Sequence, residues 1–357
     1  MLVLKTNLLN KYIHDVDYIG MMQKISKSEL LIVLEAAKAI TLKKNLVKHT
    51  CKVIFAKTNC EQKIRALLHV KKCWNALSVK TNAKLSESDI PSIQVLSVAT
   101  KKDFDTLPFS LKSVISSSKN RIEQITVISP AREIPKNFSD RILFDFGLTN
   151  LNFVPEEIII SESSRQRLYA MFGSRYGWVL QQLLTVKFCL DSDARGVLVV
   201  DADTVLLKKL QWLDKFGSQL LMPSLEFHPP YCDFLNRAFG SYKNPRFTFI
   251  THHMLIQPDK LRAIFSRLKI GSIEELIDIV EKYAVLSENS AVCLEFEIYA
   301  QFLLKFFPKN AKLVKFSNIG LPNRLDIVSQ IDILLGEVSK GAPINSISYH
   351  DYLRGRG

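Results

Sequence analysis

No apolar run in the 357 residues approaches the roughly 20 needed to cross a bilayer. The longest candidates are broken by charge: Leu30 to Ile40 contains Glu35 and Lys38, and Val197 to Leu207 contains Asp201 and Asp203. Glycine and proline number only 13 each, which excludes collagen-like and low-complexity chains. The six cysteines (Cys51, Cys60, Cys73, Cys189, Cys232, Cys293) form no Cys-x-x-Cys pair. That usage predicts reduced thiols in an intracellular protein and argues against a zinc site. Met1 to Tyr12 carries Lys5 and Lys11 but no long apolar block and no small-residue cleavage site, so no signal peptide is expected. Zinc-finger spacing and an aromatic-basic RNA platform are also missing, and no nucleic-acid partner is expected.

What is present is an ordinary globular mixture, 47% apolar and 23% charged, with enough chain for one large domain or two smaller ones. The net charge of +13 is uneven. Residues 1–90 hold 16 Lys and Arg against 7 Asp and Glu, a balance of +9, which leaves +4 for the rest. Such a segment suits peripheral contact with an anionic membrane surface; a solvated basic helical face is the plainer account of it.

Residues 1–90 read as a basic, mainly helical region. Ser28 is placed to cap a run of strong helix formers, and Ile64, Leu67, Leu68 and Trp74 recur at helical spacing. The polar stretch Asn82 to Pro91 suits a boundary, so a second domain is expected over 91–357. There the pattern changes to β-α-β: Ile93 to Val98, Leu107 to Ser116, then Ile125 to Ser129. Further strands are predicted at Arg141–Phe144, Glu157–Ile160, Gly196–Val200, Leu220–Met222, Phe247–Ile250 and Leu313–Phe316. Helices are predicted at Tyr176–Leu190, Pro258–Leu268, Ile273–Ala284 and Glu295–Phe306. Strands alternating with helices predict an α/β fold with a mostly parallel sheet flanked by helices.

The sharpest signal is Val197-Leu198-Val199-Val200-Asp201-Ala202-Asp203-Thr204. An apolar strand runs straight into two carboxylates with one small residue between them. In an open α/β sheet ligands bind at the carboxyl ends of strands. Two carboxylates there can hold a divalent ion, and the ion a diphosphate. Solvated turn carboxylates are the plain structural alternative.

Two enzyme classes use this pattern. The segment locally resembles the first motif of haloacid-dehalogenase-type phosphatases, with Asp201 and Asp203 as nucleophile and acid. That motif sits on the first strand of its fold, whereas about 100 residues of β-α-β pattern precede it here. The segment also resembles Asp-x-Asp glycosyltransferases of the GT-A fold, in which a first strand (here Gln94 to Val98) opens the nucleotide-binding half and Asp-x-Asp follows roughly 100 residues later. Asp201-Ala202-Asp203-Thr204 followed by Lys208-Lys209-Leu210 is similar to the glycogenin-like branch. Arg175 to Lys187 resembles the helix beneath that strand in bacterial sugar-transferase families. The resemblance covers residues 92–352.

It implies a metal-dependent transferase that moves a sugar from a nucleoside-diphosphate sugar, a UDP-sugar first, to a hydroxyl of a glycan or lipid-linked acceptor in polysaccharide biosynthesis. Asp203, with Asp201, would ligate Mn²⁺ or Mg²⁺, and His350 would complete the metal site. Asp201 is alternatively a ribose contact. Thr100 and Asp103, at the first strand end, would meet base and ribose, or form a polar turn. Arg175 and Lys187 would reach phosphate, or remain surface charges. Of the adjacent His252 and His253, strand alternation lets at most one face the site: His253 is slightly preferred, or it is a buried histidine with a backbone partner. Glu295 and Glu297, at a helix start, are candidate catalytic bases or ordinary helix-dipole partners, with Glu295 slightly preferred. The expected location is cytoplasmic, peripheral at a membrane's inner face if residues 1–90 dock there. A non-catalytic interaction protein on the same fold is the alternative outside enzymology.

Overall fold

The computed structural model describes residues 90–134, 150–224, 229–240, 248–284, 292–321 and 345–349. The expectations for residues 1–89, for a strand at Arg141–Phe144 and for His350 lie outside them. The described residues belong to one compact unit, Leu77–Gly357.

The sheet is built from β1 (Ile93–Val98), β2 (Ile122–Ser129), β3 (Leu151–Pro155), β4 (Val197–Val200) and β7 (His253–Ile256), ordered β3-β2-β1-β4-β7. β3, β2, β1 and β4 pair in parallel, and β7 runs antiparallel to β4. The expected parallel-rich α/β architecture is therefore present. β4 shows why its sequence is apolar without interruption: all four residues are buried, as a central strand covered on both faces requires. Val197 and Val199 face one core, and Leu198 and Val200 the other.

Helices cover both faces. α1 (Leu107–Ser117) places Leu107, Leu111 and Val114 against the Leu198 face. On the Val199 face lie α2 (Glu162–Phe172), α3 (Tyr176–Asp191), α5 (Pro258–Leu268), α6 (Ile273–Tyr283) and α7 (Glu295–Phe306). α4 (Pro229–Phe239) adds Phe234 and Leu235 there. Local chemistry sets the ends. Ser161 and Ser272 accept hydrogen bonds from the Ser164 and Glu275 amides, as N-caps do. Pro258 opens α5, and Lys269 closes it in the left-handed region at φ 58°.

Three strand expectations are corrected. Glu157–Ile160 is not a strand: Glu156–Ile158 is a 3₁₀ turn after Pro155, which pairs with Ser129 in the last register position of β2 and β3. Glu156 and Glu157 instead take the Arg165 guanidinium. The strand expected at Phe247–Ile250 lies at His253–Ile256, and Thr248 makes only an isolated bridge to Ser224. The displacement follows from alternation: Met254 and Ile256 enter one core and Leu255 the other, matching β4 residue for residue. Leu313–Phe316 gives way to β8 (Ala311–Leu313), which pairs with β6 (Gln219–Leu221). β5 (Thr204–Leu206), β9 (Asn318–Leu321) and β10 (Ser346–Tyr349) form a further sheet, with β10 between the other two. No helix among the described residues is long and apolar enough to cross a membrane.

Candidate active site

The loop Asp201-Ala202-Asp203 leaves β4 where it is flanked by β1 and β7, and its backbone is held from several sides. The Asp201 amide donates to the His252 carbonyl (2.9 Å). The Asp201 carbonyl accepts from the Ser110 hydroxyl (3.2 Å) and the Thr204 amide (3.1 Å). The Ala202 carbonyl accepts from the Thr106 hydroxyl (3.1 Å), and the Asp203 carbonyl from the Tyr349 amide (3.1 Å). All three carbonyls are thus satisfied by the protein itself. Ala202 is buried, while both aspartates stay partly exposed.

The Asp201 carboxylate meets two side chains. Gln181 Nε2, on α3, donates to Oδ1 at 3.3 Å, and His252 Nδ1 lies 3.1 Å from Oδ2. Behind them sits Glu295, buried at the start of α7, whose Oε2 has no hydrogen-bond partner. Burial pushes its carboxyl up to about 8. The neighbouring Asp201 charge adds to the rise, and the Thr185 hydroxyl offsets part of it. The approach to α7 is fixed by Gln182, buried in α3. Its Oε1 accepts from the Leu294 amide (2.7 Å), and its Nε2 donates to the Val292 carbonyl (3.1 Å). One turn earlier on α3, Trp178 stacks on Tyr231 with ring centroids 5.7 Å apart, and Arg175 lies over Trp178 at 5.4 Å.

The remaining expected residues divide. Thr100 and Asp103 occupy the end of β1 as a reciprocal cap: Asp103 Oδ2 accepts from the Thr100 amide (2.8 Å) and hydroxyl (2.9 Å). Arg175 stays at the site end of α3. Lys187 does not: it pairs with Asp191 within its own helix, six residues and about 9 Å along the axis from Gln181.

His253 lies in the core, the second of its two readings. It shares a strand face with Leu255, and that face is covered by Trp212 and Phe316, with ring centroids 5.5 and 6.1 Å from His253. Burial pulls its pKa down to about 3, so it is neutral. Of the doublet it is His252 that lies beside Asp201, which alternation alone did not assign. Glu297 is a structural anchor: buried, it accepts from the Phe249 amide and from Gln301 Nε2 (3.1 Å). Gln181, Ser110 and Thr106 had no sequence signal, because their roles depend on segments 20 to 96 residues away.

Among the described residues no group of three or more His, Cys, Asp or Glu side chains is spaced to hold a metal ion. Asp201 and Asp203 supply hard oxygen donors. They fit Mg²⁺ or Mn²⁺ in the manner in which one or two carboxylates share the ion with substrate phosphates.

No family model and no curated protein matches the chain. Solved structures similar to it include the galactosyltransferase LgtC in complex with donor and acceptor sugar analogs (16% identity, TM-score 0.45, 72% of this chain and 86% of that one). Mouse xyloside xylosyltransferase 1 in its apo form shares 12% identity, with TM-score 0.42 and coverage of 72% and 97%. The mannosyltransferase Ktr4p from S. cerevisiae in complex with GDP shares 12%, with TM-score 0.41 and coverage of 64% and 74%.

Proposed function

We propose that the protein is a metal-dependent glycosyltransferase of the Asp-x-Asp type, acting in the cytoplasm on a nucleoside-diphosphate sugar, with a UDP-sugar as first choice, and on a hydroxyl of a glycan or lipid-linked acceptor. The observation that carries this reading is the Asp201-Ala202-Asp203 loop at the carboxyl end of β4, held by its backbone, with a buried carboxyl, Glu295, behind Asp201.

Asp201 and Asp203 would hold the metal, which when bound neutralises the diphosphate leaving group. Gln181 and His252 fix the Asp201 carboxylate from two directions. Thr100 and the β1 end lie on the nucleotide side, their turn stiffened by Asp103. Glu295 is the group suited to take the acceptor proton at Oε2 in its ionised form, the minority below about pH 8: that oxygen has no partner, and a carboxylate of raised pKa is a stronger base than an exposed one. Glu297 is excluded from this role because both its oxygens accept hydrogen bonds that hold the fold.

The test is calorimetric titration of a nucleotide-sugar panel into the purified protein, with Mn²⁺ and again with EDTA, alongside Asp203→Asn. Metal-dependent binding of one donor, lost in the variant, is expected. A folded protein that binds no donor but hydrolyses phosphomonoesters with Mg²⁺ would move the assignment to a haloacid-dehalogenase-type phosphatase. Neither activity would leave an interaction protein.

A further inference from the structure

The end of β7 remote from the site carries a second chemical feature. Gln257, next after Ile256, donates through Nε2 to the Gly217 carbonyl (3.3 Å), in the turn Asp214–Ser218. That turn is rigid. Asp214 Oδ1 accepts from the Phe216 and Ser218 amides, both at 2.9 Å, and Gly217 takes φ 75°, a conformation that favours glycine. Phe216 is held outward on it, 75% exposed, with Lys215 Nζ 5.4 Å from its ring centroid.

The neighbouring turn, Pro308–Asn310, is tied on by Asn310 Nδ2 donating to the Gly217 carbonyl (3.0 Å) and by the Ser218 hydroxyl donating to the Lys309 carbonyl (3.3 Å). It follows the last turn of α7, where Arg267 lies over Phe306 and Phe307 at 4.8 and 4.9 Å. Lys305 lies over Phe306 at 5.5 Å. Arg267, Lys305 and Lys309 are exposed and have no carboxylate partner among the described residues. A single exposed aromatic ring is ordinary. A ring fixed on a stiff turn, bordered by unneutralised cations that lie on further rings, has the composition of an interfacial anchor: an apolar wedge with a cationic rim.

We propose that this face, centred on Phe216 with Arg267, Lys305 and Lys309, docks on an anionic lipid bilayer. Phe216 enters the boundary between headgroups and acyl chains, and the cations meet lipid phosphates. Charge complementarity selects this occupant, since an uncharged partner would leave the cations uncompensated and a purely polyanionic one would leave Phe216 in water. The contact is independent of the catalytic reading and of residues 1–90.

The experiment is sedimentation of the full chain with vesicles of phosphatidylcholine alone and of phosphatidylcholine and phosphatidylglycerol in equal parts, in low and high salt. Binding to the anionic vesicles alone, weakened by salt, is expected. Phe216→Ala should lower the partition constant about tenfold, and Lys305→Glu combined with Lys309→Glu on the order of a hundredfold. The melting temperature should not move, since these side chains are exposed; if the turn variant melts early, the double charge variant decides. The idea is overturned if the variants bind anionic vesicles like the parent protein, if the parent binds neutral and anionic vesicles equally, or if the variants lose binding to RNA while keeping vesicles.

Discussion

The two ends of β7 hold charge in opposite ways. Beside His253, carboxyl groups are drawn inward: Asp201 is partly covered and Glu295 is buried with an unpartnered oxygen. Beyond Ile256, cations stay in water and rest on aromatic rings. Keeping charge exposed is thermodynamically cheap, so the basic end costs the fold little. Burying a carboxyl is expensive unless it is paired or protonated. A protein retains such a group against its own stability where the group does chemistry, which is why the acidic end is read as the site.

Glu295→Gln breaks this contrast most directly. Transfer should fall on the order of a hundredfold in kcat with donor affinity nearly unchanged. Stability should move the other way. Folding raises the Glu295 pKa from 4.5 to about 8, so between those values the folded state holds a proton that the unfolded chain has released. Stability therefore falls as pH rises through this window and levels off above it. The glutamine variant should match the parent near pH 4 and be more stable by a few kcal/mol, roughly, near pH 9. Melting curves at the two pH values check this, and equal shifts at both would show that the carboxyl is not held protonated.

The histidine doublet sharpens the comparison at the level of neighbours. His253→Ala should destabilise by about 2–4 kcal/mol, because it empties a space under Trp212. His252→Ala should change stability by less than about 1 kcal/mol yet weaken metal-dependent donor binding, since it releases Asp201 Oδ2. Paired urea melts and titrations separate the two; a reversal of the pattern would reassign the site histidine. The smallest effect on donor binding belongs to Thr106→Ala and Ser110→Ala. Each removes one hydrogen bond to the loop, about 1 kcal/mol in urea midpoint terms.

Long, regular elements were legible in the sequence. β1, β4, α3, α5, α6 and α7 follow from apolar periodicity and end signals, and the Asp-x-Asp loop follows from an apolar strand running into acid. β5 and β10 were not legible, because three or four residues carry too little pattern and both form by pairing with distant chain. The site was half legible for a similar reason. Glu295 and Glu297 look alike at a helix start. They differ because the Phe249 amide reaches one of them and not the other. Alternation showed that one of His252 and His253 faces Asp201, but the register that pairs Val200 with His253 decided which.

The hydroxyls and amides that grip Asp201-Ala202-Asp203 come from α1 and the residue before it, 91 and 96 residues upstream, and from β10 near the end of the described chain. Contacts of such sequence separation carry a large loop-closure cost and slow folding. A chain emerging from the ribosome carries both aspartates long before Tyr349 exists to donate to Asp203. A chain cut short before β10 lacks the Tyr349 amide that the Asp203 carbonyl accepts from, so the loop should reach its full set of backbone contacts only in the finished domain.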